Sequence, residues 1–191
     1  MVNIRVGCQT EKPSKTEKMN RNRQNFPILI TERLTLRKLS KNDSEEILQL
    51  RSDTGINKFL DRKPSKTLED ALNFIYSILE NEKDELFYWA ITKTGKDKLL
   101  GTICLFDFSG DLKKGEIGYE LLTEYHGQGI MIEAAKKVLE YAIKTYGLKA
   151  IDAQTHKDNQ HSTKLLEKLN FKKLNNVIEN NPNLILFRLT T

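Results

Sequence analysis

Cysteine is scarce: Cys8 and Cys104 are the only two in the chain. Two thiols cannot build a disulfide framework, and no C-x-x-C spacing marks a zinc site. A reducing, cytoplasmic setting is therefore the expectation. Histidine is equally sparse, and His126, His156 and His161 form no metal-ligand pattern, so no metal is expected. Apolar runs last only a few residues, far below the roughly 20 that a membrane helix needs. The first residues contain no continuous apolar segment of the secretory type, so neither a membrane span nor a signal is expected. No internal repeat and no low-complexity segment is present.

A strong charge of one sign is also missing from most of the chain. The net charge is +5, but residues 1–27 hold six Lys/Arg against Glu11 and Glu17 and so carry +4 of it. The remaining body is nearly neutral, which argues against direct nucleic-acid binding by the domain. Residues 1–27 read as a basic, solvated N-terminal extension, and residues 28–191 as one domain. Met19 offers a second candidate start, which would make residues 1–18 dispensable. With 38% hydrophobic and 30% charged residues, the body has the composition of an ordinary globular domain.

What is there is a regular alternation of elements. ILITERLTLRKL (28–39) reads as a strand. Asn42 with Glu45 resembles a capping box and predicts a short helix from about Asp43. TGINKFLDRKPSK reads as a loop broken by Pro64. Thr67 caps the clearest helix, on which Ala71, Phe74, Ile75, Ile78 and Leu79 share one face. FYWAITKTGKDKLLGTICLFDF predicts two strands around a TGKD turn, and EIGYELL (116–122) a third antiparallel strand. A helix follows from Met131 to about Gly147, then a strand at 149–155. A further helix carries Leu165, Leu166 and Leu169, and two strands at 171–179 and 184–190 close the chain. The 116–155 crossover predicts a parallel pair within a mixed α/β or α+β domain.

The stretch EYHGQGIMIEAAKK (124–137) places two glycines before a helix. No Lys-Ser/Thr follows, which excludes a Walker loop, and Ile132 stands where a dinucleotide fingerprint needs a third glycine. Two readings remain open on this motif alone. The loop is either a tight strand-to-helix turn or an anion cradle, in which glycines admit an anion to the backbone amides at the positive end of a helix.

GEIGYELLTEYHGQGIMIEAAKKVLEYA followed by IDAQTHKDNQHSTKLLEKLNF resembles the GNAT acetyltransferases, most nearly the RimL/RimJ-like branch that acetylates ribosomal-protein N-termini. The resemblance spans about residues 28–190 and rests on two motifs, Q/R-x-x-G-x-G/A and N-x-x-S-x-x-x-L-E-K-x-G-F. The chain departs from them at His126, Met131 and Asn170. The resemblance implies a mixed, mostly antiparallel sheet of about seven strands, split between the fourth and fifth, with about four flanking helices. It implies acetyl-CoA as cosubstrate, its pantetheine paired with backbone of Leu121 and Leu122. Its pyrophosphate would meet the loop of His126, Gly127, Gln128, Gly129, Ile130 and Met131.

The implied reaction is direct acetyl transfer to a primary amine, with a protein or peptide α-amine as the leading acceptor. A small-molecule amine, or a non-catalytic CoA-binding module, is the alternative, and the assembly is a monomer or homodimer. Glu116 and Glu120 alternate onto one strand face and are the candidate bases, each with a solvated strand residue as its ordinary alternative. Ser162 matches the serine that this branch uses near the CoA sulfur as thiolate partner, which implies a catalytic role, and Asn159 matches an asparagine that anchors pantetheine or substrate. Their ordinary alternatives are a helix serine and a helix N-cap. A tyrosine acid used by a related branch falls here on Leu166. Tyr119 reads as a core residue.

Overall fold

The computed structural model describes residues 26–81, 86–111, 113–175, 178 and 181–191. Eight strands form one sheet: β1 (Leu29–Ile30), β2 (Leu34–Lys38), β3 (Phe87–Lys93), β4 (Leu99–Phe106), β5 (Lys114–Leu121), β6 (Ala150–His156), β7 (Lys172–Lys173) and β8 (Leu184–Thr190). Their spatial order is β1-β2-β3-β4-β5-β6-β8-β7. All neighbours are antiparallel except β5 and β6. The α-helices are α1 (Ser44–Ser52), α2 (Thr54–Asn57), α3 (Leu68–Asn81), α4 (Ile130–Glu140) and α5 (Gln160–Lys168).

The expected strand at 28–39 is in fact a hairpin, with Leu29 opposite Leu36. Thr31 turns the chain by bonding the Leu34 carbonyl through its amide at 2.9 Å. No glycine or proline announces that turn. The first helix is likewise introduced one step earlier than expected. Ser40 and Asp43 make the capping box of a short 3-10 turn that runs into α1. Thr67 and Asp70 exchange reciprocal bonds ahead of α3, as the sequence indicates. The expected strand at 171–179 is confirmed only at Lys172–Lys173, and residues 176, 177, 179 and 180 lie outside the described residues. The loop at 54–66 contains the short α2, whose first turn is capped by Asp53 accepting from the Ile56 amide at 2.8 Å.

The sheet carries a separate apolar core on each face. One packs α4 and α5 on Leu36, Trp89, Ile103, Ile117, Ile151 and Phe187. The other packs α1 and α3 on Ala90, Leu99 and Cys104. After α4 the helix widens into a π-turn at Tyr141–Thr145, closed by the Tyr146 amide on the Tyr141 carbonyl at 2.9 Å. In an α-helix, residues five apart point about 140° away from each other. The wider turn lets Tyr141 and Tyr146 both reach Phe87, at 5.7 and 5.3 Å between ring centroids. Phe87 also stacks on Trp89 at 5.6 Å.

Phe87 thus joins β3 to the end of α4. Phe87→Ala is expected to lower unfolding free energy by about 3 kcal/mol, the low end for Phe truncation because the ring is half-buried. Urea unfolding followed by the emission of Trp89 measures it.

Candidate active site

β5 and β6 pair over only three residues, ending at Glu116 opposite Asp152. β5 then continues to Leu121 alongside β4 alone. The Leu122 amide donates to the Leu100 carbonyl on the β4 side at 2.9 Å. In an antiparallel ladder alternate residues bond the same neighbour, so the backbone groups of Tyr119 and Leu121 face the opening between β5 and β6. Leu122 is accordingly a correction to the expected pantetheine contacts. Its amide is spent on Leu100, and its carbonyl accepts from the Tyr125 amide at 2.9 Å. The Leu121 carbonyl, by contrast, receives the His126 ring at 2.9 Å. A carbonyl only accepts, so His126 carries its proton on Nε2.

The opening leads into a cavity of about 420 Å³. β5 lines it from Ile117 to Leu121, β6 with Gln154, and α5 with Asn159, Ser162 and Leu165. His126, Gly127 and Met131 close one end, and Gly55, Ile56 and Phe59 form the opposite wall.

The glycine loop adopts an anion-receptive form. Gly127 and Gly129 both have φ of 74°, the left-handed region that glycine enters without strain. Gly129 is the N-cap of α4, and a Cβ on Gly127 would meet nothing within 4 Å. The first amides of α4 have no carbonyl within the helix to bond. Ile130 and Met131 bury their side chains, so what this turn offers outward is backbone. Gln128 turns its side chain back onto the Glu124 carbonyl at 2.8 Å, bracing the loop. Arg33 braces it from the other side, with Nη1 on the Gln128 carbonyl at 3.3 Å and Nε on Glu133 at 2.6 Å. Open space beside Gly127, a helix N-terminus and an unpaired strand edge form a seat that fits a diphosphate with an amide-bearing arm.

At the start of α5, Asn159 accepts the Ser162 amide at 3.1 Å through Oδ1, so it is the helix cap while also lining the cavity. Ser162 Oγ lies 2.9 Å from the Tyr119 hydroxyl. Sequence reasoning placed Tyr119 in the core. Its ring does pack there, but its hydroxyl crosses to α5. Asn170 ends α5 at a φ of 65°, and the Phe171 amide returns to the Leu166 carbonyl at 3.0 Å. An asparagine thus fills the left-handed position where the motif has glycine.

The two candidate bases separate sharply. Glu120 is held by Arg62 through two bonds of 2.6 and 2.8 Å. Arg62 also grips Asn57 at 2.7 Å, which fastens the 54–66 segment over the cavity. Nothing local marks this pair, since its members are 58 residues apart. Glu116 is buried at the point where the strands part, and it accepts one bond from Gln154 at 3.0 Å. Burial pushes its carboxyl up to about 7. In the folded protein Glu116 therefore keeps a proton that the unfolded chain releases near 4.5. The stability this provides is complete below 4.5 and is lost as pH rises through about 7. Glu116→Gln cannot titrate, so it is expected to gain on the wild type by roughly 3 kcal/mol across that window. Urea unfolding of both proteins at pH 4.5, 6 and 8 measures the difference.

Among the described residues no helix is long and apolar enough to cross a membrane. The family model for the GNAT acetyltransferase domain matches residues 33–172. The uncharacterized N-acetyltransferase YoaA of Bacillus subtilis (strain 168) is 32% identical over 150 residues, covering 78% of this chain and 84% of that protein. The putative ribosomal N-acetyltransferase YdaF of the same organism is 26% identical over 156 residues, covering 76% and 81%. Among solved structures, a GNAT-family acetyltransferase from Bacillus anthracis superposes with a TM-score of 0.73 at 23% identity, covering 86% of this chain and 98% of that one. RimL, a ribosomal alpha-N-protein acetyltransferase in complex with coenzyme A, superposes with a TM-score of 0.74 at 17% identity, covering 86% and 98%. With nearly three quarters of its length inside the domain match, this chain belongs to the GNAT acetyltransferase family.

Proposed function

We propose that this acetyltransferase transfers the acetyl group of acetyl-CoA to the α-amine of a protein or peptide. One observation carries the choice of acceptor. Among the described residues that line the cavity, Glu120 is the one carboxylate, and Arg62 neutralises it. A polyamine or aminoglycoside would need several free carboxylates to replace its water. The facing wall of Gly55, Ile56 and Phe59 suits instead an uncharged backbone arriving with a single amine. The similarity to RimL supports the same reading.

Each residue then has a task. The amides of the Gly127–Met131 turn hold the diphosphate, and the split-facing backbone of Tyr119 and Leu121 pairs the pantetheine arm. Acetyl-CoA supplies the activated acyl group. The acceptor nitrogen forms its bond to the acyl carbon, the carbon–sulfur bond breaks, and sulfur leaves with the electron pair. A split-facing backbone N–H stabilises the charge that develops on the acyl oxygen. Holding donor and acceptor on opposite sides of one slot supplies much of the rate. Glu116, buried behind the cavity-lining Gln154, accepts through a water the proton that the amine must lose, because a carboxyl near 7 is matched to that task at neutral pH. Glu120, fixed by Arg62, shapes the acceptor wall.

A thiol-release assay decides among acceptors. Peptides with free Ser, Ala or Met N-termini are expected to turn over, and the same peptides blocked by N-acetylation are not. Fastest turnover with spermidine, an aminoglycoside or a free amino acid would replace the peptide reading, and no release with any amine would favour a CoA-binding module. On the best peptide, kcat/KM is expected to rise through about pH 7 as Glu116 loses its proton. Glu116→Gln should lose that limb and about 100-fold of the rate. An unchanged profile would remove Glu116 from the mechanism.

A further inference from the structure

The bond between Tyr119 and Ser162 ties the two sides of the split together, since one residue is on β5 and the other in the first turn of α5. Both also line the cavity. Two hydroxyls carry two protons, and a single bond between them consumes one. The other O–H of the pair is left to donate elsewhere. The geometry admits either hydroxyl as donor, but a phenol is the stronger acid and the better donor; with Tyr119 donating, the Ser162 proton is left over.

A serine in a helix ordinarily spends its proton on the carbonyl one turn back. Here Tyr119 fills one lone pair of Ser162 Oγ and holds the rotor, while Asn159 holds the Ser162 amide. The family resemblance already gives Ser162 the part of thiolate partner; we propose that Tyr119 is a positioning residue that keeps the Ser162 O–H turned into the cavity for that part, so that it donates to the coenzyme A sulfur as the carbon–sulfur bond breaks. This rests on the acetyl-transfer reading and adds to it a residue that acts through Ser162.

Burial raises the Tyr119 phenol to about 12, so the pair stays fully protonated across the working pH range. An ordinary thiol ionises near 8.5. Full proton transfer from the pair to the thiolate would therefore run uphill by more than three pH units. The pair acts as a hydrogen-bond donor, and sulfur leaves as a thiolate that takes its proton from solvent. The atoms balance without any oxidant or further reactant.

Binding of free coenzyme A tests this without an acceptor. Titration calorimetry on the full chain compares coenzyme A with desulfo-coenzyme A, which has no thiol, at pH 7 and pH 9.5. A donor aimed at sulfur favours the thiolate, so wild-type affinity for coenzyme A relative to the desulfo compound should rise about tenfold between the two pH values. In Tyr119→Phe the rise should fall below threefold, and in Ser162→Ala likewise. Glu120, His126 and His161 also line the cavity, and Glu116 is bonded to the cavity-lining Gln154, but all four are unchanged in the variants and act on both ligands. Equal binding of the desulfo compound by Tyr119→Phe and wild type shows that the variant is folded.

On the best peptide acceptor, Tyr119→Phe should lower kcat about tenfold with KM for acetyl-CoA within twofold. The double variant with Ser162→Ala should be no slower than Ser162→Ala alone. A tenfold rise retained in Tyr119→Phe, no rise in the wild type, or multiplying kcat losses in the double variant would each overturn the proposal. Failure of the wild type to bind either ligand would instead overturn the coenzyme A seat itself.

Discussion

The parting of β5 and β6 is the constraint on which the rest of this molecule depends. A buried backbone group needs a hydrogen-bond partner, and a parallel pair normally supplies one at every step. Here the ladder stops at Glu116 opposite Asp152, although β5 runs on to Leu121. The chain therefore keeps a short open edge inside the sheet and surrounds it. Asp152 is fixed by Arg188 at 2.6 Å just where pairing ends. His126 caps the Leu121 carbonyl at the far end. Between those two points the edge is available to a ligand. Extending the β5–β6 ladder would remove the seat while leaving both cores intact.

The elements around the edge are fastened by guanidinium–carboxylate pairs rather than by more apolar area. Arg33 ties the β1–β2 turn to Glu133 on α4, across 100 residues of sequence. Arg62 ties the 54–66 segment to Glu120 on β5. Removing one partner of the buried Arg62–Glu120 pair strands the other, which costs more than the pair is worth. Their value is geometric: each adds a directional tie to a segment that the apolar cores hold only through a few side chains. Glu120 illustrates the consequence. Strand alternation puts it beside Glu116 as a chemical equivalent, yet Arg62 converts it into an anchor, while burial leaves Glu116 able to exchange a proton near neutrality.

What could be read from the sequence follows the range of the forces involved. The glycine turn, the Asn159 cap, Asn170 at the end of α5 and the apolar face of α3 are decided within a few residues, and each is where its local pattern puts it. The antiparallel meander and the parallel crossover follow from connection length. Features set by distant partners were not readable. The Arg62–Glu120 pair, the reach of Tyr119 to Ser162, 43 residues on, and the Phe59 wall all depend on how the sheet brings remote segments together. The hairpin inside 28–39 was hidden for a different reason. Thr31 turns the chain with its own side chain and amide, and ordinary β-forming residues continue on both sides.

The two loop positions that depart from the family pattern, His126 and Met131, sit in a part of the site built from main chain. Met131 is nearly buried, so its bulk is absorbed by the core and its amide remains at the helix start. His126 is engaged with Leu121, in a brace that an arginine or glutamine could also make. A seat made of backbone tolerates such changes, because every residue but proline carries the same N–H. The facing wall has no such freedom, since Ile56, Phe59 and Glu120, the last held by Arg62, shape the cavity through side chains and their spacing. Divergence within this fold should therefore preserve the donor and redistribute the acceptors. That asymmetry follows from β5 itself. In a strand the backbone groups lie in the plane of the sheet and the side chains stand across it. One segment can thus offer an invariant edge to the donor, a tyrosine to α5 and two glutamates to the opposite face.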